Sequence, residues 1–134
     1  MVAIKGEEIK KAVLRILKDI KENPEFKLNK LYKVASIFLA IGEVVDMPSL
    51  KMMADYVVSA PSRFNQLLSY KYQVMGSPLE EKFGKDIDSM LKQFFDAIEK
   101  CANLIAKESI DELEILKLLG QLEDMYSKMP SLRE

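Results

Sequence analysis

The sequence contains no His and no Trp, a single Cys, and only 5 Gly and 5 Pro in 134 residues. Each scarcity excludes something. Without His there is no Ser-His-Asp or Cys-His catalytic arrangement and no His-ligated zinc. A di-iron centre built on Glu-x-x-His pairs fails for the same reason. One thiol excludes a disulfide framework within the chain. Little Gly and Pro excludes collagen-like and low-complexity architectures. Long hydrophobic runs are missing too: the longest, Ile37-Phe38-Leu39-Ala40-Ile41, falls far short of the roughly 20 residues that span a bilayer. Charges interrupt Met1-Val2-Ala3-Ile4-Lys5-Gly6-Glu7-Glu8, so no signal-peptide core is read there. A cytoplasmic protein with no membrane association is the expectation. Neither sign of charge is in excess, with 20 basic and 21 acidic residues. A broad polycationic grip on DNA is therefore not expected.

What is present is apolar material at helical spacing. Hydrophobic residues make up 49% of the chain, enough for one domain-sized core over residues 1–134. Abundant Lys, Glu and Ile without His or Trp hints at a thermophile. Ile9, Val13, Ile16, Leu17 and Ile20 predict an amphipathic helix before Pro24. Leu28, Leu31, Val34, Ala35, Phe38, Leu39 and Ile41 predict a second. Its stretch from Val34 to Ile41 is apolar nearly all round and so is expected to be central. Gly42 with Glu43 and Asp46 marks its end.

Prolines punctuate the rest. Asp46-Met47-Pro48-Ser49 predicts the start of a short third helix, and Ser59-Ala60-Pro61 the restart of a fourth that runs to about Met75. In Gly76-Ser77-Pro78-Leu79-Glu80, Gly76 ends a helix, Ser77 caps the next, Pro78 takes its first position and Glu80 completes a capping box. Phe83, Ile87, Met90, Phe94, Ile98, Cys101 and Ile105 then form a seam in steps of four and three. Ser109-Ile110-Asp111-Glu112 reads as a second capping box, opening a helix with Ile115, Leu119, Leu122, Tyr126 and Met129 on one seam. The last proline, Pro130, closes it. No strand-like alternation and no internal repeat occurs. The expected fold is all-α: a five- or six-helix bundle, with N-terminal helices over 1–75 and a long antiparallel helical hairpin over 78–129.

Charge drifts along the chain. Residues 1–33 sum to +4, residues 34–75 to zero and residues 76–134 to −5. Solvated helix faces account for this. So does a basic face near the N-terminus that meets an anionic partner. The acidic groups Glu80-Glu81 and Asp111, Glu112 and Glu114 fall in first turns, where acids favour the helix dipole. Cys101 lies on an apolar seam and reads as a buried, inert thiol. The glycines are isolated, so no phosphate-cradling loop is read. No catalytic, cofactor or metal site is expected.

Residues 63 to 75 contain no acid. On a helix Arg63, Gln66, Tyr70 and Gln73 share one face, while Phe64, Leu67, Lys71 and Val74 share another. The amide, hydroxyl, aromatic and basic groups suit a nucleic-acid backbone, or equally the rim of a core. Lys27, Lys30 and Lys33 recur every three residues and extend a basic strip, or form a solvated face. The candidate nucleic-acid or partner contacts are thus Lys27, Lys30, Lys33, Arg63, Gln66, Tyr70, Lys71 and Gln73.

From Leu31 to Tyr72 the order is Tyr32-Lys33-Val34-Ala35-Ser36-Ile37-Phe38, then Gly42-Glu43, then Pro48 and Met53-Ala54-Asp55. This arrangement resembles the small helical subunits of archaeal type I-A CRISPR effector complexes over about a third of the chain. The resemblance implies a non-catalytic subunit that lines up in several copies beside larger subunits. It implies contact with guide and target strands, RNA or single-stranded DNA, through basic side chains, here Arg63, Lys71, Lys30 and Lys33. The balanced net charge departs from that pattern and confines any such contact to a local surface. The alternative class is a protein-only interaction module: a self-associating helical bundle, or a viral or antitoxin-like accessory protein.

Overall fold

A computed structural model describes residues 5–129 and is all-helical, with no strand among them. Pro130 and Met1-Val2-Ala3-Ile4 lie outside the described residues. The elements are α1 (Gly6–Glu22), a single-turn α2 (Pro24–Lys27), a 3₁₀ turn (Leu28–Lys30), α3 (Leu31–Val44), α4 (Pro48–Gln73), α5 (Glu80–Ile105) and α6 (Glu112–Ser127).

The two 26-residue helices α4 and α5 form the spine. The Phe64 and Phe94 rings meet at 5.5 Å and those of Tyr70 and Phe83 at 5.9 Å, so the two helices run antiparallel. Helix α3 folds back on α4, α1 lies along α5, and α6 touches both α4 and α5. The apolar seams point inward. Val13, Leu17 and Ile20 of α1 are buried, as are Ile87, Phe94, Ile98, Cys101 and Ile105 of α5 and Ile115, Leu119, Leu122 and Tyr126 of α6. Burial of a large apolar side chain stabilises by about 1.5–3 kcal/mol, so these seams set how the helices dock. Helix α3 is not buried all round: Val34, Ala35, Phe38 and Ile41 face the core while Leu39 and Val44 are exposed. It sits at the edge of the molecule, covered on one side only.

Five local expectations are corrected by the structure. The second helix does not begin at Leu28. A 3₁₀ turn intervenes, and because i and i+3 line up in that geometry, Leu28 and Leu31 both enter the core. Helices three and four are one helix, with Pro61 inside α4. The missing N–H and the ring of a proline disturb the preceding turn. There, the carbonyl of Tyr56 accepts from Ser59 Oγ at 3.0 Å and from Tyr126 Oη at 2.6 Å. The carbonyl that loses its donor to Pro61 is that of Val57, and the Tyr56 bonds, one residue further back, tie α6 to this turn.

Gly42 does not end α3. It is buried within it, and the left-handed residue is Asp46, at φ 54°. Met47 N donates to Gly42 O at 2.8 Å, the long bond of a Schellman turn. Gly42 serves instead as a close-approach point. A Cβ there would lie 3.1 Å from the Lys51 backbone nitrogen and 3.3 Å from Leu50 Cβ. Helix α6 is capped not by Ser109 but by Asp111, whose carboxylate accepts from Leu113 N and Glu114 N. Glu112 is thereby free to take the Oγ of the buried Ser49 at 2.9 Å.

At the α4–α5 junction Gly76 is left-handed at φ 82°. Its N–H donates to Glu80 at 3.0 Å, and Ser77 Oγ accepts from Leu79 N. The capping box read from the sequence is not formed: α5 starts at Glu80, its cap position is Leu79 with no side-chain cap bond, and Ser77 and Pro78 stay in the preceding turn because Glu80 turns back to Gly76.

The glycines yield a paired prediction. Overpacking costs roughly 1–3 kcal/mol and the helical gain of Ala over Gly is about 0.5–1 kcal/mol. Gly42→Ala is therefore expected to destabilise by about 1 kcal/mol. At Gly120 a Cβ meets nothing within 4 Å, so Gly120→Ala is expected to stabilise by about 0.5–1 kcal/mol. Urea unfolding midpoints of the two variants should move in opposite directions.

Candidate nucleic-acid or partner interface

The eight candidate residues fall into three groups. Lys27 and Lys30 are turned onto one carboxylate. Lys27 Nζ lies 2.6 Å from Asp19 Oδ1, and Lys30 is hydrogen-bonded to Asp19 Oδ2. The 3₁₀ turn brings both lysines to the same side, and the pair pins it to α1. The Lys27 and Lys30 hydrogen bonds hold the Asp19 carboxyl well below its ordinary 3.8, at about 2. The same contact raises Lys27 above its usual 10.5.

Arg63 forms the second group. Its guanidinium sits 4.6 Å from the centroid of the Tyr126 ring, a cation–π contact between α4 and α6. Tyr126 is buried, and burial pushes its hydroxyl up to about 12, with the Ser59 hydroxyl and the Arg63 charge pulling the other way. Tyr56 completes the cluster, its ring 5.5 Å from that of Tyr126. Arg63 is thus part of the joint that carries α4 past Pro61.

The third group is Lys33, Gln66, Tyr70, Lys71 and Gln73. Lys33, Gln66 and Gln73 are exposed, and Lys33 is in no ion pair among the described residues. Tyr70 is half-buried against Phe83. The stem of Lys71 passes over α5, its Cε 3.8 Å from where a Cβ on Gly84 would stand. Phe64 and Leu67 on the adjoining face are buried.

The fold joins α2 to the end of α4 through a bond the sequence did not disclose. Tyr72 Oη donates to Glu25 Oε2 at 2.7 Å, joining the last turn of α4 to α2. Glu25 raises the Tyr72 hydroxyl above its usual 10.0, so Tyr72 stays a neutral donor. Around this bond stand Phe26, 79% exposed, Tyr72, 55% exposed, and Met75, 60% exposed. Pro24 starting a new turn beside a long aromatic-rich helix was the only sequence signal for it. Helix α1 adds Lys11, Arg15 and Lys18 at i, i+4 and i+7, all exposed and in no ion pair among the described residues.

Elsewhere the surface carries shallow grooves. A cavity of about 340 Å³ between α5 and α6 is lined by Gln93, Asp96, Lys100, Gln121 and Asp124 among others. Among the described residues no cluster of three metal-binding side chains occurs. Cys101 is buried and its thiol is pushed by desolvation up to about 12, which keeps it protonated and unreactive. No helix among the described residues is long and apolar enough to cross a membrane. No family model, curated protein or solved structure matches the chain.

The Asp19 cluster has a pH signature. A carboxyl whose folded value is depressed contributes stability that is present above its unfolded value and lost as pH falls. The contribution should therefore fade between pH 3.8 and about 2. Thermal melts across that interval should show a steep acid limb for the native chain and a flatter one for Asp19→Asn. An unchanged limb would show that the lysine contacts add nothing to stability.

Proposed function

We propose that this chain is a non-catalytic assembly subunit of a nucleoprotein complex, working through helix surfaces. The carrying observation is the end patch around the Tyr72–Glu25 bond, where Phe26, Tyr72 and Met75 stand exposed next to Lys71. Single exposed apolar residues are ordinary on a folded surface; several together at one end suggest a contact surface. The architecture that goes with this reading is a helical bundle closed by α5 and α6 as an antiparallel hairpin. A cytoplasmic setting belongs to the same proposal and suits a lone buried thiol.

The small subunits of type I-A CRISPR effectors remain the family that the pattern from Leu31 to Tyr72 resembles. On that reading, larger protein subunits cover part of the surface, further copies of the chain line up beside it, and nucleic-acid backbone contacts fall to Lys33, Gln66, Lys71 and Gln73. Lys27 and Lys30 are already held by Asp19, and Arg63 by Tyr126. One observation favours the second reading, a protein-only or self-associating interaction module: two of the three strip lysines are spent inside the molecule.

A tagged pull-down from native extract at moderate salt, split into nuclease-treated and untreated halves, tests both. The expected result is recovery of large subunits together with RNA or single-stranded DNA, diminished by nuclease. Recovery of the chain alone, or of one partner indifferent to nuclease, would replace the nucleoprotein reading with the interaction module.

A further inference from the structure

We propose that the outer face of α3 pairs with the same face of a second copy of this chain, the two helices antiparallel, in a closed two-fold dimer. The proposal goes beyond the function proposed above and does not rest on it. Helix α3 lies at the edge of the molecule with only its inner side covered. Between Lys33 and Glu43 it has no charged residue. On the outer side stand Tyr32 and Leu39, each 46% exposed, and Val44, 53% exposed. Ser36 and Ala40 lie between them and are exposed too. The Ser36 hydroxyl already donates to the Tyr32 carbonyl at 3.0 Å. Covering this centre therefore leaves no hydroxyl donor unpaired.

The order of residues along the face selects the occupant. In a two-fold antiparallel helix pair, residues equally far from the centre on opposite sides come level with each other. Taken about Phe38, Ser36 comes level with Ala40 of the second copy, Tyr32 with Val44, and Lys33 with Glu43. Small residues thus meet at the crossing, where they let two helix axes approach closely. The one cation and the one anion of the face come level, and the two-fold axis makes that pairing twice. A parallel pair would instead set like charges side by side. Both charges are within reach of a neighbour. Lys33 is in no ion pair among the described residues. Glu43 accepts from Lys51 of its own chain at 3.2 Å, yet its side chain stays 64% exposed and has room for a second donor. A foreign partner has no reason to match this symmetric order, whereas a second copy matches it by construction. Because both copies use the same patch, the contact closes and does not extend into a row.

Sedimentation equilibrium across a wide concentration range tests the pair. The native chain is expected to reach twice its 15.3 kDa and no more. Ala40→Arg places a long charged side chain at the crossing and is expected to leave a folded monomer, the fold checked by circular dichroism. Lys33→Glu and Glu43→Lys each set two like-charge pairs across the interface. Each alone should weaken association by about tenfold. Mixed in equal amounts, the two variants form a hetero-pair in which both charge pairs attract, and the dimer mass is expected to return.

A native chain that is monomeric at every concentration overturns the pair, as does a dimer that Ala40→Arg leaves intact. Unchanged association in both charge variants, or no recovery when they are mixed, overturns the antiparallel register and the proposal with it. A mass that climbs beyond the dimer overturns the closed two-fold contact. The pull-down reads a different outcome. Large subunits and nucleic acid recovered with a monomeric chain sink the pair and keep the assembly reading. A dimer that recovers nothing else keeps the pair and sinks the assembly reading.

Discussion

Helix α4 must stay helical through Pro61, because α3, α5 and α6 all pack against it. A proline in a helix interior costs about 3 kcal/mol or more, which local sequence does not recover. Packing of three helices against α4 accompanies it, and α6 bonds the turn before Pro61. The Tyr56 carbonyl, one turn back, takes hydrogen bonds from Ser59 and from Tyr126 of α6. The Tyr126 ring in turn meets that of Tyr56 at a tilt of 42° and lies under Arg63. A weak point in one helix has become the joint to another. Were α4 to stop there, Phe64 and Tyr70 would lose their alignment on Phe94 and Phe83. Tyr72 would no longer reach Glu25, and the end patch would not exist.

The apolar seams were legible because burial follows the helical period directly. Val13, Leu17 and Ile20, and the run from Ile87 to Ile105, needed nothing but their spacing to be placed inward. Local chemistry was legible as a set of groups more than as exact roles. Ser77, Gly76 and Glu80 do interact at the start of α5, yet Glu80 reaches Gly76 rather than Ser77. At α6 the cap moved from Ser109 to Asp111. What failed was the reading of breakers. Gly42 and Pro61 look like helix ends to any rule that sees only neighbours in sequence. Gly42 is small because α4 comes within contact of it, and Pro61 lies in a helix packed on α3, α5 and α6, with α6 bonding the turn before it. Both reasons lie in partners distant along the chain.

The candidate interface divides in the same way. The residue types were visible, but their commitments were not. Lys27 and Lys30 reach Asp19, eight and eleven residues earlier, through a 3₁₀ turn that replaces the expected helix start. Tyr72 finds Glu25 across 47 residues. These contacts reassign the lysines that seemed most available and bring forward Phe26, which no periodicity marked.

Net charge is a poor guide to such a surface. Salt screens exposed charges over roughly 8 Å at physiological ionic strength, so a partner senses only the groups near its own contact. Most of the acidic excess lies in residues 76–134, and several of those acids are already used: Glu81 with Lys85, Asp86 with Lys82, Glu114 with Lys117, Asp124 with Lys128. Beside the end of α4, Glu25 is engaged by Tyr72, and Lys71 is in no ion pair among the described residues. A chain with a total charge of −1 can therefore carry surfaces whose local charge differs from that sum. Local pairing, more than the overall sum, decides which partner that end attracts.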